Sequence, residues 1–202
     1  VPAPRRRLIV ATGNPGKLAE FRVLLAGSAF ELTSLGELGL PSPEETGTSF
    51  LENAALKARH AARASGFAAL ADDSGLEVDA LGGAPGVHSA RFAGAAADDA
   101  ANNAKLIEAL RALDPRHSPP PWRARYRCVL VLMQNAEDAA PLVVEGVWEG
   151  VIIETPLGSN GFGYDPHFWL PQRGLTAAQM APEEKNRLSH RGAALRALQE
   201  KL

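Results

Sequence analysis

The residues of this chain best suited to chemistry are two adjacent acids, Asp72 and Asp73, followed by Ser74 and Gly75. They close a short apolar run, 68–71, that reads as a strand. Carboxylates at a strand end suit a hard cation such as Mg2+, which takes only one or two protein carboxylates. Glu44 and Glu45, in the loop 41–47, are acids that would complete such a site. The competing reading is an ordinary turn, because Asp and Ser both bond locally to backbone. Asp73-Ser74-Gly75 also matches the aspartic-protease triplet. That chemistry needs two carboxylates sharing a proton, and the chain carries one copy.

Three further segments carry candidate chemistry. Thr12-Gly13-Asn14-Pro15-Gly16-Lys17 lies between an apolar run and a helical pattern. Backbone N–H groups at a helix N-terminus favour anions, glycines allow a phosphate close approach, and Lys17 adds a point charge. It is not a P-loop, which needs four residues between Gly and Gly-Lys and then Ser or Thr; a tight turn with a solvated lysine is the alternative. Gly161-Phe162-Gly163-Tyr164-Asp165-Pro166 places an aromatic between glycines, an exposed ring on a flexible loop able to stack on a base; core aromatics anchoring a loop would look the same. Lys185, His190 and Arg191 fall within two turns of one another and read by themselves as a solvated helix face, unless Ser189 or His190 breaks or begins a helix and lets them converge. His60, His88, His117 and His167 show no metal-ligand spacing.

These segments need elements to hold them. Residues 8–11 read as a buried strand, 17–25 as a helix and 30–35 as a second strand. Ser49 with Glu52 is a capping-box pattern for a helix running to about Ser65, stopped by Gly66. Glu77 to Leu81 alternates as a separate short strand; 82–94 is Gly- and Pro-rich loop; Asp98 caps a helix to Leu113. Residues 123–133 and 142–153 read as long strands, a hairpin over Asn135-Ala136-Glu137-Asp138. Pro182 opens a final helix extending to the C-terminus. This alternation predicts an α/β fold with a mixed, twisted sheet and flanking helices, a single domain of two lobes around a central substrate cleft.

Composition bounds the partners. With 202 residues, 46% of them hydrophobic, the chain can build a real core, and a net charge of -2 gives no reason to expect a nucleic-acid polymer. The single cysteine, Cys128, in an apolar run, reads as a buried strand residue in a reducing compartment. No apolar stretch approaches the roughly 18 residues of a membrane span. The apolar run after the basic N-terminus is too short for a signal peptide, so no membrane partner and a cytoplasmic location are expected. Arg5-Arg6-Arg7 reads as a variable extension with no assigned role.

Taken together, the segments resemble the inosine/xanthosine triphosphate pyrophosphatase family. The resemblance runs in register from about residue 8 to the C-terminus. It rests on Ala11 to Lys17, Glu44-Glu45-Thr46-Gly47, Glu52-Asn53-Ala54, Lys57-Ala58, Ala71-Asp72-Asp73-Ser74-Gly75-Leu76, Gly82-Gly83-Ala84-Pro85-Gly86, Ser89-Ala90-Arg91, Gly161 to Pro166, Glu184-Lys185-Asn186 and Ser189-His190-Arg191. Ser159-Asn160 departs from the Gly that members often carry before Gly161. The resemblance implies an Mg2+-dependent homodimer that converts non-canonical purine nucleoside triphosphates (ITP, dITP, XTP) to monophosphate and pyrophosphate. It implies that Thr12, Gly13, Asn14, Pro15, Gly16 and Lys17 hold the triphosphate, with Lys57 near the phosphates. Glu44 and Asp73 would bind metal, Asp73 also serving as base for the attacking water. Ser74 would touch substrate, and Phe162, Gly163, Tyr164, Asp165, Lys185, His190 and Arg191 would hold and read the base. A nucleotide-binding sensor without turnover, or a nucleotide hydrolase of other base specificity, is the alternative.

Overall fold

The computed structural model describes residues 6–202; the segment 1–5, with Arg5 of the basic stretch, lies outside the described residues. The elements are β1 (Arg6–Val10), α1 (Pro15–Leu24), β2 (Phe30–Ser34), α2 (Phe50–Ser65), β3 (Ala68–Val78), α3 (Asp99–Arg111), β4 (Trp122–Met133), β5 (Leu142–Ile152), β6 (Phe168–Leu170), β7 (Leu175–Thr176), α4 (Pro182–Leu188) and α5 (His190–Gln199). The strands form one sheet in the order β2-β1-β3-β4-β5-β6-β7. β1 is parallel to β2 and β3, whereas β6 is antiparallel to β5 and β7, so the sheet is mixed as the alternating pattern predicts.

The chain divides into two compact units. The first contains the residues up to Asp73, Cys128–Glu145 and Ala194–Leu202; the second contains Ser74–Arg127 and Gly146–Ala193. Each has its own core. The first buries Leu8, Val10, Phe21, Leu70, Leu130 and Leu195, with Cys128 among them as expected. The second buries Leu76, Leu106, Leu110, Trp122, Tyr126, Phe168 and Met180.

Local capping signals act as read. Ser49 accepts from the Glu52 N–H and opens α2; Gly66, at φ 75°, ends it. The Glu52 carboxylate accepts from the N–H and hydroxyl of Thr48, one residue before the position a reciprocal capping box would use. Asp98 accepts from Ala101 N–H and caps α3.

Four expectations are corrected. Arg6 and Arg7 belong to β1 rather than to an extension; their guanidinium groups lie over the Phe30 and Phe67 rings, which provide an apolar platform for the charged residues. β3 is one continuous strand through Asp72-Asp73-Ser74-Gly75, not two strands joined by a turn. The reason is that both carboxylates are engaged by lysines from other elements and do not compete for local backbone. The segment 82–94 includes a 3-10 helix, Gly86–Arg91. The last helix is two: Ser189 is extended (φ -66°, ψ 164°), its N–H closing α4 onto Lys185 O while its hydroxyl accepts from Gly192 N–H and caps α5.

Candidate active site

In the first unit, β1 ends opposite Leu70 of β3, with Ala11 N–H bonded to Leu70 O, so the loop that follows starts level with the acids of β3. Thr12 Oγ1 accepts from Asn14 N–H, and Asn14 Oδ1 accepts from Lys17 N–H, which makes Asn14 the N-cap of α1 with Pro15 at its first position. Gly13, Asn14 and Pro15 are exposed, and Gly16 is half-buried. The turn is thus open to an anion, although Pro15 has no N–H and the Asn14 and Lys17 amides are bonded within the loop. The Lys17 ammonium rests on Asp72, 3.1 Å away.

Successive side chains of a strand project to opposite faces. Asp72 meets Lys17 and Asp73 meets Lys57, whose ammonium lies 2.7 Å from Asp73 Oδ1 and 2.8 Å from Glu45 Oε1. Asn53, wholly buried on the same helix α2, donates to Asp73 Oδ2 and accepts from Gly47 N–H at 2.8 Å, tying the acidic loop to the acidic strand. Gly47 is required for this: a Cβ there would lie 2.6 Å from Asn53 Oδ1. Burial raises the Asp73 carboxyl above its ordinary range, partly offset by Lys57. Burial alone would lower Lys57, yet the carboxylates of Asp72, Asp73 and Glu45 outweigh it and raise it.

The structure thus brings Asp73, Lys57, Asp72 and Lys17 together. Of the two loop acids it joins Glu45 to the cluster, while Glu44 stands exposed beside it. Among the described residues no three His, Cys, Asp or Glu side chains converge as a closed metal cage. The donor set nonetheless fits Mg2+: the donors are hard carboxylate oxygens, and the ammonium held between Asp73 and Glu45 marks a position that attracts positive charge.

In the second unit, Lys185, His190 and Arg191 are buried rather than solvated, and Arg191 is 1% exposed. The break at Ser189 achieves this, because it lets α4 and α5 each turn a first-turn or last-turn residue inward. Arg191 Nη2 donates to Ser74 Oγ at 2.9 Å. Lys185 Nζ lies 2.5 Å from Asp165 Oδ2 and 4.6 Å from the centre of the Phe162 ring. Phe162 is half-buried rather than an exposed ring, and its N–H donates to the same Oδ2. Tyr164 is a core anchor whose hydroxyl donates to Ser89 O. Gly161, at φ 76°, has no room for a Cβ, which would lie 2.0 Å from Asp165 Oδ2. At the Ser159-Asn160 departure, the Asn160 side chain donates to Met180 O and anchors the loop start.

Several supporting residues escape sequence reasoning. Asp99 accepts from Gly163 N–H at 2.6 Å and Asn103 donates to Gly163 O at 2.8 Å, so α3 takes both polar backbone groups of the loop residue between Phe162 and Tyr164. Tyr126 stacks on His190. The i, i+4 spacing of Asp99 and Asn103 was available as a signal of a shared helix face; Tyr126 offered none, since it alternates in β4 like any core residue. Of the other histidines, His60 meets Pro41 O and His167 meets Ile153 O, whereas His117 meets the Asp114 carboxylate.

A model of the Ham1 family matches residues 8–201. A dITP/XTP pyrophosphatase of Methylococcus capsulatus is 54% identical over 198 residues, covering 98% of this chain and 96% of that protein. A dITP/XTP pyrophosphatase of Xylella fastidiosa is 54% identical over 197 residues, 96% of each chain. Among solved structures, a HAM1 protein from Coxiella burnetii superposes with a TM-score of 0.89 at 47% identity, covering 97% of this chain and 98% of its own. A nucleoside-triphosphatase / dITP/XTP pyrophosphatase from Mycobacterium abscessus does so with a TM-score of 0.71 at 46% identity, covering 95% and 98%. Matched along almost its whole length by that family model and by relatives that share about half its residues, the chain belongs to the Ham1 family.

Proposed function

We propose that this chain hydrolyses non-canonical purine nucleoside triphosphates (ITP, dITP and XTP) to the monophosphate and pyrophosphate, with Asp73, Lys17 and Lys57 acting on the phosphates and Lys185, His190 and Arg191 reading the base. The observation that carries the reading is the buried Asp73 carboxylate, held by Lys57 and Asn53 in the same unit as an outward-facing helix N-terminus. A pure binder gains little from acids beside a polyanion unless a metal bridges them. A hydrolase needs a base and a cation position there.

Thr12 to Gly16 and the first amides of α1 bind phosphate oxygens, and Lys17 exchanges Asp72 for phosphate as its counter-charge. Mg2+, held by Asp73 and Glu44, would neutralise the triphosphate and polarise the attacked phosphorus. Asp73 accepts the proton of the water that attacks the α-phosphorus in line, and pyrophosphate leaves. Lys57 and Lys17 stabilise charge that develops on the phosphoryl oxygens.

Selectivity follows from the edges of the base. Hypoxanthine and xanthine present O6 as an acceptor and N1–H as a donor, and adenine reverses both. Donors from Lys185, His190 or Arg191 aimed at O6 meet an amino group in ATP, a buried mismatch able to discriminate by roughly 10⁴–10⁵. The family resemblance further supports a homodimer, which size-exclusion chromatography with light scattering checks, and a cytoplasmic location; among the described residues no helix is long and apolar enough to cross a membrane.

The deciding experiment incubates the pure protein with MgCl2 and ITP, with ATP and GTP in parallel, and identifies the products. IMP with pyrophosphate, ATP and GTP being largely spared, is the expected result. Orthophosphate with IDP, or no turnover, would overturn the proposal.

A further inference from the structure

Tyr126 lies buried in β4 and has no part in the chemistry above. Its ring is nearly parallel to the His190 imidazole, with centroids 4.8 Å apart and planes 11° apart. The same ring packs against Phe168, at 4.6 Å, and Trp148, at 6.4 Å, so it cannot tilt without disturbing the core. Its hydroxyl donates to Asp165. Asp165 already accepts from Phe162 N–H and from Lys185 Nζ, both on Oδ2. A further donor, carried by a ring that the core holds rigid, restrains the carboxylate against rotation. Phenylalanine would fill the same core volume, so packing alone does not call for a hydroxyl here.

We infer that Tyr126 is a positioning residue for base recognition: its ring sets the plane of His190, and its hydroxyl fixes the Asp165 carboxylate that aims the Lys185 ammonium. This rests on the assignment of Lys185, His190 and Arg191 to the base. One core side chain thereby orients two groups that belong to different helices, Lys185 of α4 and His190 of α5. The hydroxyl acts on discrimination rather than on bond cleavage, because it touches neither Asp73 nor the phosphate-binding loop.

The test compares Tyr126→Phe and Lys185→Ala with the unmodified enzyme on ITP and ATP, alongside melting temperatures and the proton resonances of His190. Tyr126→Phe keeps the stack and loses the donor. It is expected to raise KM for ITP roughly 5- to 20-fold, with kcat within about twofold, ATP hydrolysis unmoved and the ring-current-shifted His190 resonances retained. The preference for ITP over ATP then falls by the same factor. Unchanged KM and preference in Tyr126→Phe, while Lys185→Ala shifts the preference, would overturn the role of Tyr126 alone. An equal loss on both substrates with a lowered melting temperature would also overturn it, by making Tyr126 merely structural. A preference that Lys185→Ala leaves unmoved would remove the base assignment itself, and this inference with it.

Discussion

The two clusters are built from different chemical groups. In the first unit, Asp72, Asp73 and Glu45 face Lys17 and Lys57, three acids against two ammonium groups. In the second, Asp165 is set against Lys185, Arg191 donates to the Ser74 hydroxyl, and aromatic rings add further contacts. The carboxylates of the first suit a divalent cation and, through it, a polyanion. The N–H donors of Lys185, His190 and Arg191 in the second suit a neutral heterocycle that offers a carbonyl oxygen. On the proposed function, affinity for phosphate and choice of base fall to different residues, which would make them separable by mutation.

The largest expected effect breaks the first cluster only. Asp73→Asn should lower kcat by about 10²–10⁴ or more while the ratio of ITP to ATP hydrolysis stays near its original value, measured by pyrophosphate release. Near-normal turnover in that variant would remove Asp73 from the mechanism. Next, Gly161→Ala forces a methyl onto Asp165 Oδ2 and should cost roughly 10²-fold in kcat/KM for ITP, mostly through KM. A loss confined to kcat would show that the loop does more than hold the base. Arg191→Ala should hurt ITP hydrolysis more than ATP hydrolysis, by roughly tenfold; equal losses would mean that Arg191 does not read the base.

Smaller effects sharpen the contrast on the side of stability. Asn53→Ala unties Gly47 from Asp73 and should destabilise the fold by about 1–3 kcal/mol in denaturant titration, without altering base preference. The smallest effect concerns Glu52, whose carboxyl is held below its ordinary 4.5 by the Thr48 N–H. A lowered folded pKa stabilises above the ordinary value and is lost as pH falls through the lowered one. Glu52→Gln should therefore melt slightly earlier at neutral pH, and the difference should vanish in acid; a constant difference at all pH values would assign the effect to something other than the charge.

What the sequence disclosed follows from the range over which its signals act. Ser49, Gly66 and Asp98 work within four residues of themselves, and the helices they bound are where the pattern predicts. The acids and lysines were legible as chemistry by residue type, but their pairing was not. Lys57 and Asp73 are 16 positions apart and Arg191 and Ser74 are 117 apart, so only the fold reveals that they bond. The same ignorance turned β3 into a strand, a turn and a strand, because Asp-Asp-Ser-Gly is turn-forming unless distant lysines claim the carboxylates. Tyr126 was hidden for the opposite reason: nothing local distinguishes a tyrosine that organises a site from one that fills a core.

Ser189, which ends one helix and begins the next, has a consequence for how this segment can change over generations. A helix advances about 100° per residue. Removing or adding a single residue between Leu188 and His190 would swing the imidazole and guanidinium a third of a turn away from Tyr126 and Ser74. Amino-acid replacements around Ser189 leave that phase intact, whereas a change of length destroys it. The stretch from Lys185 to Arg191 should accordingly remain free of insertions and deletions.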